Sequence, residues 1–342
     1  MLKISRASAN LRPERVQLLK KKQMGDMDID ELQKLTRDSR SQREIGIALI
    51  LASCVLALFL FIPPLFQKVS MTSIITVATS TVPDAFAHIP LEAKAAIVYD
   101  VAMGKTLYAK NADAQLPLAS LTKLLTVYAA LGELSPNTPI TIPVDVTRLD
   151  APRAFSPGQT FTLADLARLT LTASLNDGAA AIAEATALRE NRSQSDMLAG
   201  AAAALGLSQT YAINGSGLDV NAAISGGYGS ARDLAVLAGA LVAQAPTIAE
   251  ATTKSSAQAV SEGGTSFHVT NTDPMIASIP RLLLSKTGYT DLAGGNLAFV
   301  FDSGMGHPIA VVVLGSSQKA RFTDGSALVA ATLAHFAGVA SL

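Results

Sequence analysis

Ile45 to Phe66, IGIALILASCVLALFLFIPPLF, is uncharged and long enough to cross a bilayer as a helix, and no other stretch constrains the architecture as strongly. Lys34, Arg37, Arg40 and Arg43 precede it, whereas Lys68 is the nearby basic residue after it. The positive-inside rule then puts the amino terminus in the cytoplasm and the remainder outside. The expected order is a cytoplasmic tail at 1–44, a transmembrane signal-anchor helix at 45–66, a Ser/Thr/Val-rich linker at 67–90 and an exported domain at 91–342. The expected localisation is the cytoplasmic membrane, single-pass, with that domain on the extracytoplasmic side. DAFAHIP offers an Ala-x-Ala cleavage site ending at Ala87, but it lies well beyond the apolar run, whereas signal-peptide cleavage normally follows closely. An uncleaved anchor is the expectation.

Several function classes fall away on composition. Lys plus Arg and Asp plus Glu balance at 27 each, so no global field favours nucleic acid. Cys54 is the single cysteine, set among Leu, Ala and Val, and cannot form an intrachain disulfide. The four histidines lack His-Glu-x-x-His spacing, and no Cys/His cluster, phosphate-binding Gly-x-x-x-x-Gly-Lys loop or Gly-x-Ser-x-Gly elbow is present. No metal or cofactor is expected.

Residues 95–112 predict a β-hairpin turning at Gly104. Helices are expected from about Ser120 to Leu131, stopping at Gly132, then over Leu163–Thr172, Gly178–Leu188, Ser195–Leu205 and Ala231–Ala243, with Gly206 as a stop. RLLLSKT, NLAFVFDSG and PIAVVVLGS read as three antiparallel strands, and RFTDGSALVAATLAHFAG as a final helix packed on the sheet. Strands from both ends of the domain with helices between imply an α/β (α+β) unit.

Within that frame, PLASLTKLLT places Ser120 three residues before Lys123. On a helix these two project from one face, and a serine beside an amine base is one recipe for a nucleophile. The pattern carries little information alone, since Ser316 to Lys319 repeats it and a solvated surface pair is the other reading. Ser174, Asn176 and Asp177 fall between two predicted helices, where Ser-x-Asn also reads as a cap or turn. Lys286, Thr287 and Gly288 end a predicted strand. Order and context make the three patterns informative together.

On these residues, the chain resembles the penicillin-recognising serine D-Ala-D-Ala carboxypeptidases, over roughly Leu91 to Gly338. VYDVAMGKTLYAKNADAQLPLASLTKLLT, the Asn-Asp-Gly after Ser174, LGLSQT, NGSGL, KTGYTDLAGGNL and ARFTDG carry the resemblance further. It implies a serine β-lactamase/transpeptidase-like fold, an antiparallel sheet flanked by helices with a helical lobe bearing Ser174 and Asn176. It also implies Ser120 as nucleophile, Lys123 as its general base and Ser174 as a proton relay toward the leaving amine. Asn176 becomes a donor to the substrate amide, Lys286 a positive charge near Ser174, and Thr287 a substrate-carboxylate ligand. Gly288 leaves a strand edge open to an added peptide. The backbone N–H groups of Ser120 and Tyr289 become the oxyanion hole, and Arg321 a second carboxylate ligand, although pairing with Asp324 is its mundane alternative. Strict strand alternation turns Thr287 away from Lys286, so its role rests on the resemblance.

The substrate implied is a peptidoglycan stem peptide ending in D-Ala-D-Ala, with β-lactams as covalent inhibitors. Class A β-lactamases also use a glutamate in a Glu-x-x-Leu-Asn loop, and none lies between Asn176 and Lys286, so efficient β-lactam hydrolysis is not expected. Many relatives continue into a β-rich domain and an amphipathic membrane helix; here the expectation is that the amino-terminal span anchors instead. A non-catalytic muropeptide-binding scaffold and a DD-endopeptidase are the competing functions.

Overall fold

β-Branched runs from opposite ends of the chain meet in one sheet in the computed structural model, which describes residues 84–338. β1 (Ala95–Asp100) and β2 (Lys105–Lys110) form the expected hairpin. The chain passes through β3 (Leu116–Pro117) and a 3-10 turn at Ala119–Leu121 into α1 (Thr122–Glu133). β4 (Pro139–Thr141) pairs with β5 (Thr160–Thr162), followed by α2 (Leu163–Ala173), α3 (Asn176–Glu190) and α4 (Gln194–Ala204). Next come β6 (Tyr211–Ala212), β7 (Gly227–Gly229), α5 (Ala231–Gln244), α6 (Pro246–Ala251) and a hairpin of β8 (Ser256–Val260) with β9 (Ser266–Thr270). β10 (Leu282–Thr290), β11 (Gly294–Asp302), β12 (Pro308–Ser316) and α7 (Ala320–Ala337) close the described region.

The main sheet runs β10-β11-β12-β1-β2, every neighbour antiparallel, with β10 on an edge. Both faces are covered, and β12 shows why. Val312 and Leu314 join the core with Leu124, Leu237 and Ile97, whereas Val311 and Val313 join Phe299, Phe301 and Leu328. The period of two divides one strand between two cores. α7 supplies Leu328 to the second core, and the helical lobe seals the first.

Side-chain caps fix where the helices start. Thr162, Ser193 and Ser230 each accept from the amide three residues on, at Asp165, Asp196 and Asp233. Gly206 takes φ +70° just beyond α4, in keeping with its expected role as a stop. Gly132 does not stop α1, which continues to Glu133. The β8–β9 hairpin is absent from the sequence reading, because Ser, Ala and Gln in β8 lack the β-branched signature.

The membrane architecture needs correction. Among the described residues no helix is long and apolar enough to cross a membrane. The longest of those helices, α7, carries Arg321, Asp324 and His335 and packs on the sheet through one face. The expected fold with a transmembrane helix, and the single-pass membrane localisation drawn from it, are therefore set aside. The stretches behind those expectations, 1–44, 45–66 with Cys54, and most of the linker, lie outside the described residues. Of that linker, residues 84–90 are described: Ala85 and Phe86 are buried, Phe86 stacking on Tyr108 with centroids 5.7 Å apart.

Candidate active site

Ser120 sits in the 3-10 turn leading into α1, so Lys123 follows one turn later on the same face. The turn is held in an uncommon shape: Ala119, just before Ser120, has φ +49°. Gly217 presses against it so closely that a Cβ there would lie 2.0 Å from the Ala119 carbonyl oxygen, and its own φ of +75° also favours glycine. Asn214 Oδ1 shapes that loop by accepting from the amides of Ser216 and Gly217 and from Ser216 Oγ. The loop thereby offers the Ser216 carbonyl to the lysine.

Lys123 is fully buried, and its Nζ lies 2.7 Å from Ser120 Oγ, 2.8 Å from Asn176 Oδ1 and 2.8 Å from the Ser216 carbonyl oxygen. Burial, and then repulsion from the Lys286 ammonium, hold its pKa well below the usual lysine value, with Asp177 opposing. Asn176 opens α3, and its Nδ2 donates to the Asp150 carbonyl, fixing the amide so that Oδ1 faces Lys123. Asp177 is buried beside it and accepts from the amides of Ala154, Phe155 and Gly178.

A second serine–lysine pair completes the group. Ser174 caps α2 in the left-handed region, φ +59°, a conformation that non-glycine residues adopt at some energetic cost. Its Oγ accepts from Lys286 Nζ at 2.8 Å, and the same Nζ donates to the Thr287 carbonyl at 2.7 Å. Burial, then repulsion from Arg321, brings the Lys286 pKa down to about 7, with Asp273 opposing. β10 thus carries a buried amine to the helical lobe.

The remaining expected residues gather on the same strand. A Cβ at Gly288 would lie 3.0 Å from the Leu118 carbonyl oxygen and 3.2 Å from the Ser120 amide nitrogen, so β10 runs hard against the Ser120 turn. Arg321 Nη1 donates to the Gly288 carbonyl at 2.6 Å, and Arg321 is 7% exposed. Its mundane alternative is not what forms: Asp324 accepts instead from the amides of Glu92 and Ala93 and from Ser316 Oγ. Thr287 Oγ1 lies 2.7 Å from Thr272 Oγ1. The Tyr289 side chain is 46% exposed, beyond the buried stretch of β10.

The second Ser-x-x-Lys is structural. Ser316 ends β12, buried, with its hydroxyl donated to Asp324, and Lys319 directly precedes α7. Ser316→Ala is expected to cost about 1.5–3 kcal/mol of stability, the scale for a hydrogen bond to a charged group, seen as a lower urea midpoint. Both Ser316→Ala and Lys319→Ala should nevertheless acylate with labelled penicillin at the wild-type rate. A large loss of labelling in the folded Lys319→Ala protein would contradict this.

Sequence reasoning missed the Asn214–Gly217 turn as a part of the site, although NGSGL belongs to the quoted resemblance. Two adjacent glycine-containing steps were its only local signal. Thr272 and Asp273 were missed altogether, because they come from a loop between β9 and β10 with no motif.

An antiparallel sheet whose edge strand brings one buried lysine to a serine, beside a helix that pairs another serine with another buried lysine, defines a serine hydrolase. Comparison with known proteins narrows this. Residues 79–318 match the family described as D-alanyl-D-alanine carboxypeptidase. The D-alanyl-D-alanine carboxypeptidase DacF of Bacillus subtilis is 29% identical over 67% of this chain and 59% of its own length. The D-alanyl-D-alanine endopeptidase of Pseudomonas aeruginosa is 30% identical over 74% of this chain and 83% of its own. Among solved structures, penicillin-binding protein D2 of Listeria monocytogenes in its ampicillin-bound form has 29% identity and a TM-score of 0.61, covering 71% of this chain and 98% of that one. The chain belongs to the D-alanyl-D-alanine carboxypeptidase family of serine peptidases.

Proposed function

We propose that this chain removes the terminal D-alanine from peptidoglycan stem peptides through an acyl-enzyme on Ser120, with residues 91–342 as the catalytic unit. The observation that carries the reading is the buried Lys123 amine, 2.7 Å from Ser120 Oγ and held well below its ordinary pKa. A neutral amine has two hydrogens and one lone pair. Asn176 Oδ1 and the Ser216 carbonyl take the hydrogens, which leaves the lone pair for the Ser120 proton.

In this mechanism Ser120 Oγ attacks the carbonyl carbon between the two D-alanines while its proton passes to Lys123. The oxyanion is received by the backbone N–H groups of Ser120 and Tyr289. As the tetrahedral intermediate collapses, the C–N bond breaks and the proton held by Lys123 reaches the leaving amine by way of Ser174, which Lys286 holds in place, so that Lys123 is neutral again. Water then attacks the ester and gives a proton to Lys123, which returns it to Ser120 Oγ as the acyl C–O bond breaks, regenerating both residues. Gly288 and Tyr289 border the peptide's path along the β10 edge, Asn176 donates to its amide from α3, and Thr287 with Arg321 receives its carboxylate. β-Lactams would acylate the same oxygen.

Incubating the protein with a stem pentapeptide ending in D-Ala-D-Ala and following free D-alanine tests the reading. Stoichiometric penicillin labelling without D-alanine release would leave a penicillin-binding scaffold. A second reading has its own observation, the match over 83% of the Pseudomonas endopeptidase. Cleavage of a cross-linked muropeptide dimer faster than the pentapeptide would favour it.

A further inference from the structure

Asn271, Thr272 and Asp273 form a short clasp beside β10 that no motif announced. Asn271 Nδ2 donates to the carbonyls of Thr252 and Lys254, and its Oδ1 accepts from the Asp273 amide. Asp273 is 2% exposed and accepts from Ser285 Oγ at 2.6 Å. The Thr272 amide donates to the Thr172 carbonyl, two residues before Ser174. The clasp therefore fixes Thr272 against both the end of α2 and the strand carrying Lys286.

The Thr272 hydroxyl is held 2.7 Å from Thr287 Oγ1. Thr287 is 4% exposed, whereas Thr272 is an exposed residue, so the pair runs from the buried strand outward. A hydroxyl has one hydrogen and two lone pairs. If Thr272 donates to Thr287, the Thr287 hydrogen is free for an incoming acceptor. The Arg321 guanidinium makes the neighbourhood cationic: its Nη1 lies on the Gly288 carbonyl and its Nε has no partner among the described residues. An anionic acceptor suits this setting best.

We propose that Thr272 is a positioning residue that acts through Thr287 to make this enzyme selective for ligands with a carboxylate beside the scissile amide. The proposal rests on the assignment of Thr287 as carboxylate ligand. Without the Thr272 hydrogen bond, the Thr287 hydroxyl loses its preset direction. A ligand lacking the negative charge has little to lose by that change.

The test measures acylation of the full chain by benzylpenicillin and by its uncharged methyl ester, alongside D-alanine release from the pentapeptide and its carboxamide. Thr272→Val should lower acylation by benzylpenicillin about tenfold, the effect of losing one hydrogen bond to a charged group, and leave the ester rate within twofold. Thr272→Ser should restore selectivity. Equal losses on acid and ester, or no loss on either, would overturn the proposal. Penicillin acylation without D-alanine release by wild type would count against the carboxypeptidase reading alone, since the acid-to-ester comparison still decides on Thr272.

Discussion

Ser120→Ala is expected to abolish the covalent penicillin adduct and to lower D-alanine release by about 10⁴-fold or more, the scale seen when a serine nucleophile is removed. Alanine keeps the backbone and Cβ but removes the only atom that can hold the acyl group. The variant should fold, because the Ser120 turn is fixed by Ala119 packing on Gly217 and by the Leu121 amide bonded to the Leu118 carbonyl. Lys123 keeps its bonds to Asn176 and Ser216, so the rest of the site stays assembled. Intact-mass measurement after penicillin treatment checks the adduct, and a coupled D-amino-acid oxidase assay checks release. A stoichiometric adduct on the variant would move the nucleophile elsewhere.

Which parts of this site were legible in the sequence follows from how each is built. Ser120 and Lys123 are close in the chain and joined by helical periodicity, so their contact could be read directly. Lys286 on a strand and Ser174 between helices were readable as elements, but their 2.8 Å contact bridges 112 positions and is a product of tertiary packing. The resemblance supplied that link where periodicity could not. Thr287 illustrates the limit of simple alternation: its hydroxyl finds Thr272, a loop residue unrelated to any pattern in β10. The Ser216 carbonyl was equally invisible, since every residue has a carbonyl and only the Asn214 turn aims this one at Lys123.

The buried lysine pair has an energetic consequence as well as a chemical one. Lys123→Ala is expected to slow penicillin acylation by roughly 100-fold or more, the usual scale for losing a general base. The effect should fall on the acylation rate constant, because Ser120 and the β10 edge remain in place. The same substitution should change how stability depends on pH. In the folded protein the Lys123 pKa is well below 10.5, so from that lowered value up to 10.5 the unfolded chain binds more protons than the folded one. Stability contributed by this group therefore rises with pH across that window. Lys286 adds the same slope between about 7 and 10.5. Urea midpoints measured at successive pH values should thus climb less steeply for Lys123→Ala than for wild type. A variant with the wild-type slope would mean that Lys123 is not held neutral by burial, and one that acylates within tenfold of wild type would assign the base to another group.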